Sequence, residues 1–186
     1  EQGSAVSGDW LNKRVFALCA GGAYSEYVAV DAAQVMPLPD EMTMAQGAAI
    51  SEVYLTAFSA LFQFGQLKAG QTALIHAGAS GVGGAAIQMA KLAGAQVVIT
   101  AGSDEKCEHA KQLGADHTIN YKTTDFVEYM KAHNLSANAI VDPVSGRYLN
   151  KNAKVAAMDC QIVMLAFLDS RFAEVDFARL LQKRIS

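Results

Sequence analysis

Residues 71–94, QTALIHAGASGVGGAAIQMAKLAG, read as a strand, a glycine turn and a helix. The apolar run 72–76 has the length and character of a buried parallel strand. Gly78, Ser80, Gly81, Gly83 and Gly84 follow, a turn too small to keep a ligand's phosphates away from the backbone. A helical pattern then runs through Val82, Ala85, Ala86, Met89, Ala90 and Ala93, with Gly94 as its stop. Unpaired N–H groups at the start of such a helix, together with the positive end of its dipole, suit a pyrophosphate. Written as G-x-G-x-x-G the motif fails, because Ser80 holds the middle glycine position. A glycine pattern alone fits a plain tight turn as well; its place between a strand and a helix is what predicts nucleotide binding.

Downstream the same alternation repeats. Residues 96–100 form a second apolar strand ending in Ala101-Gly102-Ser103, and Ser103 or Asp104 caps a helix over 105–113 that Gly114 ends. A third strand falls at 117–119, then a helix from Asp125 to His133. Fourth and fifth strands fall at 139–141 and 161–165, with a helix over 149–158 between them. Strands alternating with helices on short turns predict an α/β fold, a doubly wound parallel sheet of Rossmann type.

Upstream the pattern differs. Residues 15–18 and 24–30 are short and β-rich around Gly21 and Gly22, and the prolines of 36–40 keep that segment extended. A helix follows over 43–65, opened by a capping box of Thr43 and Gln46 and open to a break at Ser51-Glu52. Glu52 and Tyr54 are tempting acid–base groups, yet a tyrosine on an apolar helix is ordinarily a packed residue. The domains therefore read as 1–42 and 43–186.

Composition excludes several classes. Hydrophobic residues make up 52% and charged ones 18% of the 186 residues, enough for a core and too apolar for disorder. The net charge of −3 argues against nucleic acid as the main partner. Cys19, Cys107 and Cys160 are isolated, with no C-x-x-C pair, so neither a disulfide framework nor a cysteine zinc lobe is expected and a reducing cytoplasm fits. No run approaches a membrane span. The four histidines fall on four different elements; His76, at a strand end, reads as a satisfied core residue rather than a ligand. Neither a G-x-S-x-G elbow nor a G-x-x-x-x-G-K-[ST] loop occurs.

Ala77-Gly-Ala-Ser-Gly-Val-Gly83 resembles the A-x-x-[GS]-x-x-G turn of the zinc-independent quinone oxidoreductase (zeta-crystallin-like) branch of the medium-chain dehydrogenases/reductases. The segments GGAYSEYVAVDAAQVMPLPDEM, AAISEVYLTAFSAL, TAGSDEKCEHAKQLGADHTINYK and IVDPVSGRYLNKN extend the likeness over most of the chain, nearest the p53-inducible quinone oxidoreductase type. The resemblance implies an internal fragment, with the last strands of the Rossmann sheet missing. Its residues 1–42 would be the end of a GroES-like β domain and 43–186 a dinucleotide-binding domain. It further implies hydride transfer from NADPH to a quinone or related α,β-unsaturated carbonyl acceptor, and a homodimer in the full-length family. Enoyl-thioester reductase and a non-catalytic, crystallin-like binding protein are the competing readings. Catalytic side chains stay unassigned, and no metal is expected. Lys13-Arg14 stand where the family has Gly-Asp, Ala166 where a glycine is usual, and Asp169 where the family is often glycine-rich.

For the cofactor, the turn contributes Ala79, Ser80, Gly81, Val82 and Gly83. An NAD site places an acid at the end of the second strand, about 20 residues past the turn, to hold the ribose hydroxyls. Here that strand ends without one. Asp104 has the spacing, but falls past the strand in the first turn of a helix, where acids serve the dipole. Gly102 and Ser103 leave room for a 2′-phosphate. The resemblance matches Lys106 and Tyr121 to that phosphate, and Thr56, Phe167 and Leu168 to the nicotinamide end. NADPH is the expected cofactor.

Overall fold

Strand β3 (Thr72–Ile75) is buried along its whole length, which only a strand covered on both faces can be. In the computed structural model, which describes residues 1–186, it pairs in parallel with β4 (Gln96–Ala101) on one side and β6 (Ala137–Asp142) on the other. Outside these lie β5 (His117–Asn120) and β7 (Ala156–Met164), giving a five-stranded parallel sheet in the order β5-β4-β3-β6-β7. The order reverses between β3 and β6. At such a switch point the loops leaving neighbouring strands diverge and open a crevice at their carboxyl ends. The α/β, doubly wound sheet expected of the sequence is the fold observed.

The crossovers are α2 (Gly81–Leu92), α3 (Asp104–Gln112), α4 (Phe126–Ala132) and α5 (Tyr148–Val155), and α6 (Phe177–Lys183) follows β7. Their starts are written locally: Ser80, Ser103, Asp125 and Asp176 each accept backbone N–H groups of the first turn. Gly94 and Gly114 stop α2 and α3 in left-handed conformations at φ 76° and 110°. Leu74, Val98, Ile119, Phe126, Met130 and Ile140 form the core between sheet and helices.

The chain divides into two units, Glu1–Leu55 and Thr56–Ser186. In the first, β1 (Val15–Ala17) pairs antiparallel with β2 (Val35–Pro37), with Phe16 opposite Met36. Arg14 ties this ribbon to the segment after it: its guanidinium donates to the carbonyls of Pro39, Asp40 and Met42. The capping box forms, with Thr43 N–H on Gln46 Oε1 at 2.8 Å and Gln46 N–H on Thr43 Oγ1 at 3.2 Å.

Three expectations are corrected. Residues 24–30 form no strand, because no strand of the chain pairs with them; Tyr27 is 90% exposed. The helix α1 (Met44–Phe58) runs straight through Ser51-Glu52, since neither residue breaks its hydrogen-bond ladder, and widens instead into a π-helical turn at Ser59–Phe64. Strand β7 begins at Ala156, five residues earlier than the apolar run. A register shift opposite Ala137/Ala139 and a left-handed Asp159 at φ 60° carry it past the polar positions.

Candidate functional site

Where β3 ends, the chain turns back on itself within five residues. Ala77 adopts a left-handed conformation at φ 52°, which an L side chain disfavours by roughly 1–2 kcal/mol. Gly78 N–H donates to Thr100 O at 3.0 Å, and a Cβ on Gly78 would stand 2.6 Å from Ile99 Cβ, so the turn lies flat on β4. A Cβ on Gly83 would run into the carbonyls of Ala77 and Gly78. Ser80 is the N-cap of α2: its hydroxyl accepts from Gly83 N–H at 3.0 Å, in an extended conformation that needs no glycine. The serine that spoils the glycine motif therefore serves the same turn by another route. The amides of Gly81 and Val82 precede the first intrahelical acceptor, since Gly84 N–H is the one that meets Ser80 O.

At the end of β4, Gly102 faces Tyr121: a Cβ there would lie 2.7 Å from the tyrosine hydroxyl. Ser103 caps α3 through Lys106 N–H at 3.3 Å, and Lys106 is exposed on the first turn without an ion pair. Asp104 starts the helix rather than ending the strand, and Asn120 Nδ2 donates to its Oδ1 at 2.8 Å.

A cleft of about 440 Å³ opens at the carboxyl ends of the strands. Ala77, Thr100 and Tyr121 line one side; Val144, Arg147, Tyr148 and Lys151 line the start of α5, with Leu168 and Asp169 from the loop after β7. Of the residues singled out in the sequence, Tyr121 and Leu168 line it. Gly102 adjoins it through Tyr121, Ser103 follows Gly102 as the cap of α3, and Ala79, Ser80, Gly81, Val82 and Gly83 form the turn beside Ala77. Thr56 is half-buried on α1 and Phe167 is 62% exposed; neither lines the cleft, nor does Lys106.

Sequence reasoning missed Arg147, Tyr148, Lys151 and the use made of Asp169. The signal was there: two cations four residues apart, opening a helix directly after a strand. Asp169 Oδ1 pairs with Arg147 Nη2 at 2.7 Å, and Oδ2 accepts the Arg147 backbone N–H at 3.0 Å. That N–H, and the guanidinium beside it, hold the Asp169 carboxyl below the usual carboxylate range. Lys151 bridges to Asp125 at 2.8 Å. Burial raises the pKa of Tyr148, whose ring meets those of His76 and Phe126 at centroid distances of 4.9 and 5.3 Å.

His76 is the satisfied core residue expected of it. Its ring nitrogens meet Thr100 Oγ1 at 2.9 Å and Asn152 Oδ1 at 2.8 Å, and burial lowers its pKa. No group of three or more His, Cys, Asp or Glu side chains converges as a metal site. No helix is long and apolar enough to cross a membrane.

Set against known proteins, residues 81–186 match the family described as zinc-binding dehydrogenase. The rat synaptic vesicle membrane protein VAT-1 homolog is 37% identical over 145 residues, covering 77% of this chain and 36% of its own. The Escherichia coli quinone oxidoreductase, in a crystal structure complexed with NADPH, superposes with a TM-score of 0.87 at 29% identity. That match covers 98% of this chain and 57% of the bacterial one. A 2-haloacrylate reductase superposes with a TM-score of 0.85 at 26% identity, covering 100% of this chain and 60% of its own. The chain thus spans little more than a third of its rat relative's length and under two thirds of these solved structures.

Proposed function

This chain belongs to the zinc-binding dehydrogenase family, within the medium-chain dehydrogenases/reductases, and from that membership we propose that it is part of an NADPH-dependent, zinc-independent oxidoreductase. Its acceptor is a quinone or a related α,β-unsaturated carbonyl compound. Residues 1–42 are the end of a GroES-like catalytic domain and 43–186 the nucleotide domain. The single observation that carries the cofactor reading is the end of β4. There Gly102 closes on Tyr121, Ser103 caps α3, and Asp104, the first of the two acids in the first turn of α3, is engaged by Asn120.

The residues present fit a dinucleotide and do not fit zinc. A turn in which Cβ atoms at Gly78 and Gly83 would collide with the backbone or Ile99 lets a pyrophosphate approach the free amides of Gly81 and Val82. Ala79, Ser80, Gly81, Val82 and Gly83 would cradle it. Ser103, Lys106 and Tyr121 would hold the 2′-phosphate, and Thr56, Phe167 and Leu168 would lie toward the nicotinamide. Hydride donation is the chemistry such a cofactor supplies when bound. The chain's part is to bind, orient and exclude water; no side chain here is assigned as acid or base. Within these 186 residues no three candidate zinc ligands converge, which is what the zinc-independent reading rests on. The bacterial quinone oxidoreductase complexed with NADPH, and a neighbour named for reducing a 2-haloacrylate, support the acceptor class. The unpaired cysteines favour a reducing, cytoplasmic setting, and the family resemblance implies a homodimer for the whole protein.

The test is a titration of NADPH and NADH against this chain by nicotinamide fluorescence, followed by turnover assays of the full-length protein with a quinone and with an enoyl thioester. Preference for NADPH with quinone reduction is the expected outcome. Preference for NADH, turnover of the thioester alone, or about one tightly bound zinc per chain would each overturn the corresponding part.

A further inference from the structure

Seven polar or charged residues are buried in this chain, and five of them, His76, Thr100, Asp142, Ser145 and Asn152, form one connected array. Asp142 Oδ1 accepts the N–H groups of Val144 at 2.7 Å and Ser145 at 2.9 Å, while its Oδ2 accepts Asn152 Nδ2 at 2.8 Å. A carboxylate only accepts, so the amide nitrogen of Asn152 must face Asp142 and its oxygen must face His76. His76 Nε2 therefore carries the proton and donates at 2.8 Å, which leaves Nδ1 to accept the Thr100 hydroxyl at 2.9 Å. The donors run in one direction, from Thr100 through His76 and Asn152 to Asp142. At the far end Ser145 Oγ donates to Ala166 O at 2.7 Å, directly before Phe167 and Leu168.

Burying so many polar groups is unfavourable unless every one is satisfied, and an apolar core of the same volume would be as stable or more so. The array is concentrated under the cleft: Thr100 and Val144 line it, and the array's two ends are the wall at β4 and the loop after β7. It joins the ends of β3, β4 and β6 to α5, which no single apolar contact could hold in one register.

We infer that His76 is a positioning residue, which by fixing Asn152 and Asp142 holds the 143–147 loop and Thr100 in the arrangement that shapes the cleft for its dinucleotide. The inference rests on the nucleotide reading above for its ligand, but the loop's order can be read without one.

The experiment uses Thr100→Val, nearly isosteric but without the hydroxyl, Thr100→Ser, which keeps the hydroxyl and loses the methyl, and Asn152→Leu. Amide hydrogen exchange is followed by mass spectrometry, and NADPH affinity by nicotinamide fluorescence. Thr100→Val and Asn152→Leu are expected to speed exchange of the Val144 and Ser145 amides by about tenfold or more while β3 and β4 keep their protection. Misplacing the loop should weaken NADPH binding on the order of tenfold in both. Thr100→Ser should keep the slow exchange. If Thr100→Ser loosens the loop more than Thr100→Val, the threonine acts through its methyl packing and the inference fails. Uniform acceleration over the whole sheet, or no change at Val144 and Ser145, overturns it equally. Should the unaltered protein fail to bind NADPH, the nucleotide reading falls, and the exchange data still decide whether the relay from Thr100 through His76 to Asn152 holds the loop.

Discussion

The hydroxyl of Tyr121 lies 2.7 Å from where a Cβ on Gly102 would stand, so the tyrosine ring takes the space that a side chain at position 102 would occupy. Tyr121 is further tied to β4 by its N–H on Ala101 O at 3.0 Å. An acid at position 102, where an NAD site would place one, has no room without displacing the tyrosine.

Lys106 sits one turn beyond this contact, exposed and without an ion pair. A hydrogen bond to a charged group contributes about 1.5–3 kcal/mol, so Lys106→Ala should weaken NADPH binding roughly ten- to a hundred-fold. NADH, which lacks the 2′-phosphate, should hardly respond. Fluorescence titration of both cofactors checks this, and equal losses for the two would remove Lys106 from the phosphate site.

Ser51 sits on α1 at 4% exposure with its hydroxyl buried and without a partner. A buried unsatisfied polar group is destabilising by about 1–3 kcal/mol, so Ser51→Ala should raise stability by on the order of 1 kcal/mol. Thermal or urea denaturation would register a higher midpoint. A lower one would mean that the hydroxyl is satisfied in solution.

Acid should unfold the protein through its paired carboxylates. Burial pushes the Asp116 carboxyl up, but the Lys91 ammonium at 2.8 Å and the Val97 N–H at 2.7 Å outweigh it and leave the group below its ordinary range. The Lys151 ammonium holds Asp125 down likewise, helped by the N–H groups it caps and opposed by burial. Folded pKa values below the unfolded value of about 3.9 mean that this stability is complete above that pH and lost as pH falls through the folded values. Urea midpoints should therefore stay level from neutrality to about pH 4 as far as these groups are concerned, and decline below it. Asp116→Asn should start lower and decline less; an unchanged midpoint would show that the pair contributes nothing.

The three cysteines should differ in reactivity. Burial pushes the Cys160 thiol up to about 12 and raises that of Cys107, while Cys19 is only half-buried. Since the thiolate is the reacting species, an alkylating reagent at neutral pH should label Cys19 first and the other two only on unfolding. Peptide mapping decides it, and early labelling of Cys160 would contradict the packing beneath β7.

Much was determined by the sequence alone because it is local. The caps at Ser103 and Asp125 and the Thr43–Gln46 box each close within a few residues. The apolar runs of β3, β4 and β6 declare a two-sided burial without reference to anything else. The glycine turn was legible too, although only its geometry shows why a serine stands at its centre: Ser80 is extended and caps α2 through Gly83 N–H. What only the tertiary structure decided lies between distant residues. Arg147 and Asp169 are 22 residues apart, Lys151 and Asp125 are 26, and His76 and Asn152 are 76. Those side chains meet because the strand order turns at β3 and brings the loops after β6 and β7 to the same edge as the glycine turn. The fate of residues 24–30 was decided in the same way. A β-rich stretch becomes a strand only when another strand offers its hydrogen bonds, and that is a property of the assembled fold rather than of the stretch.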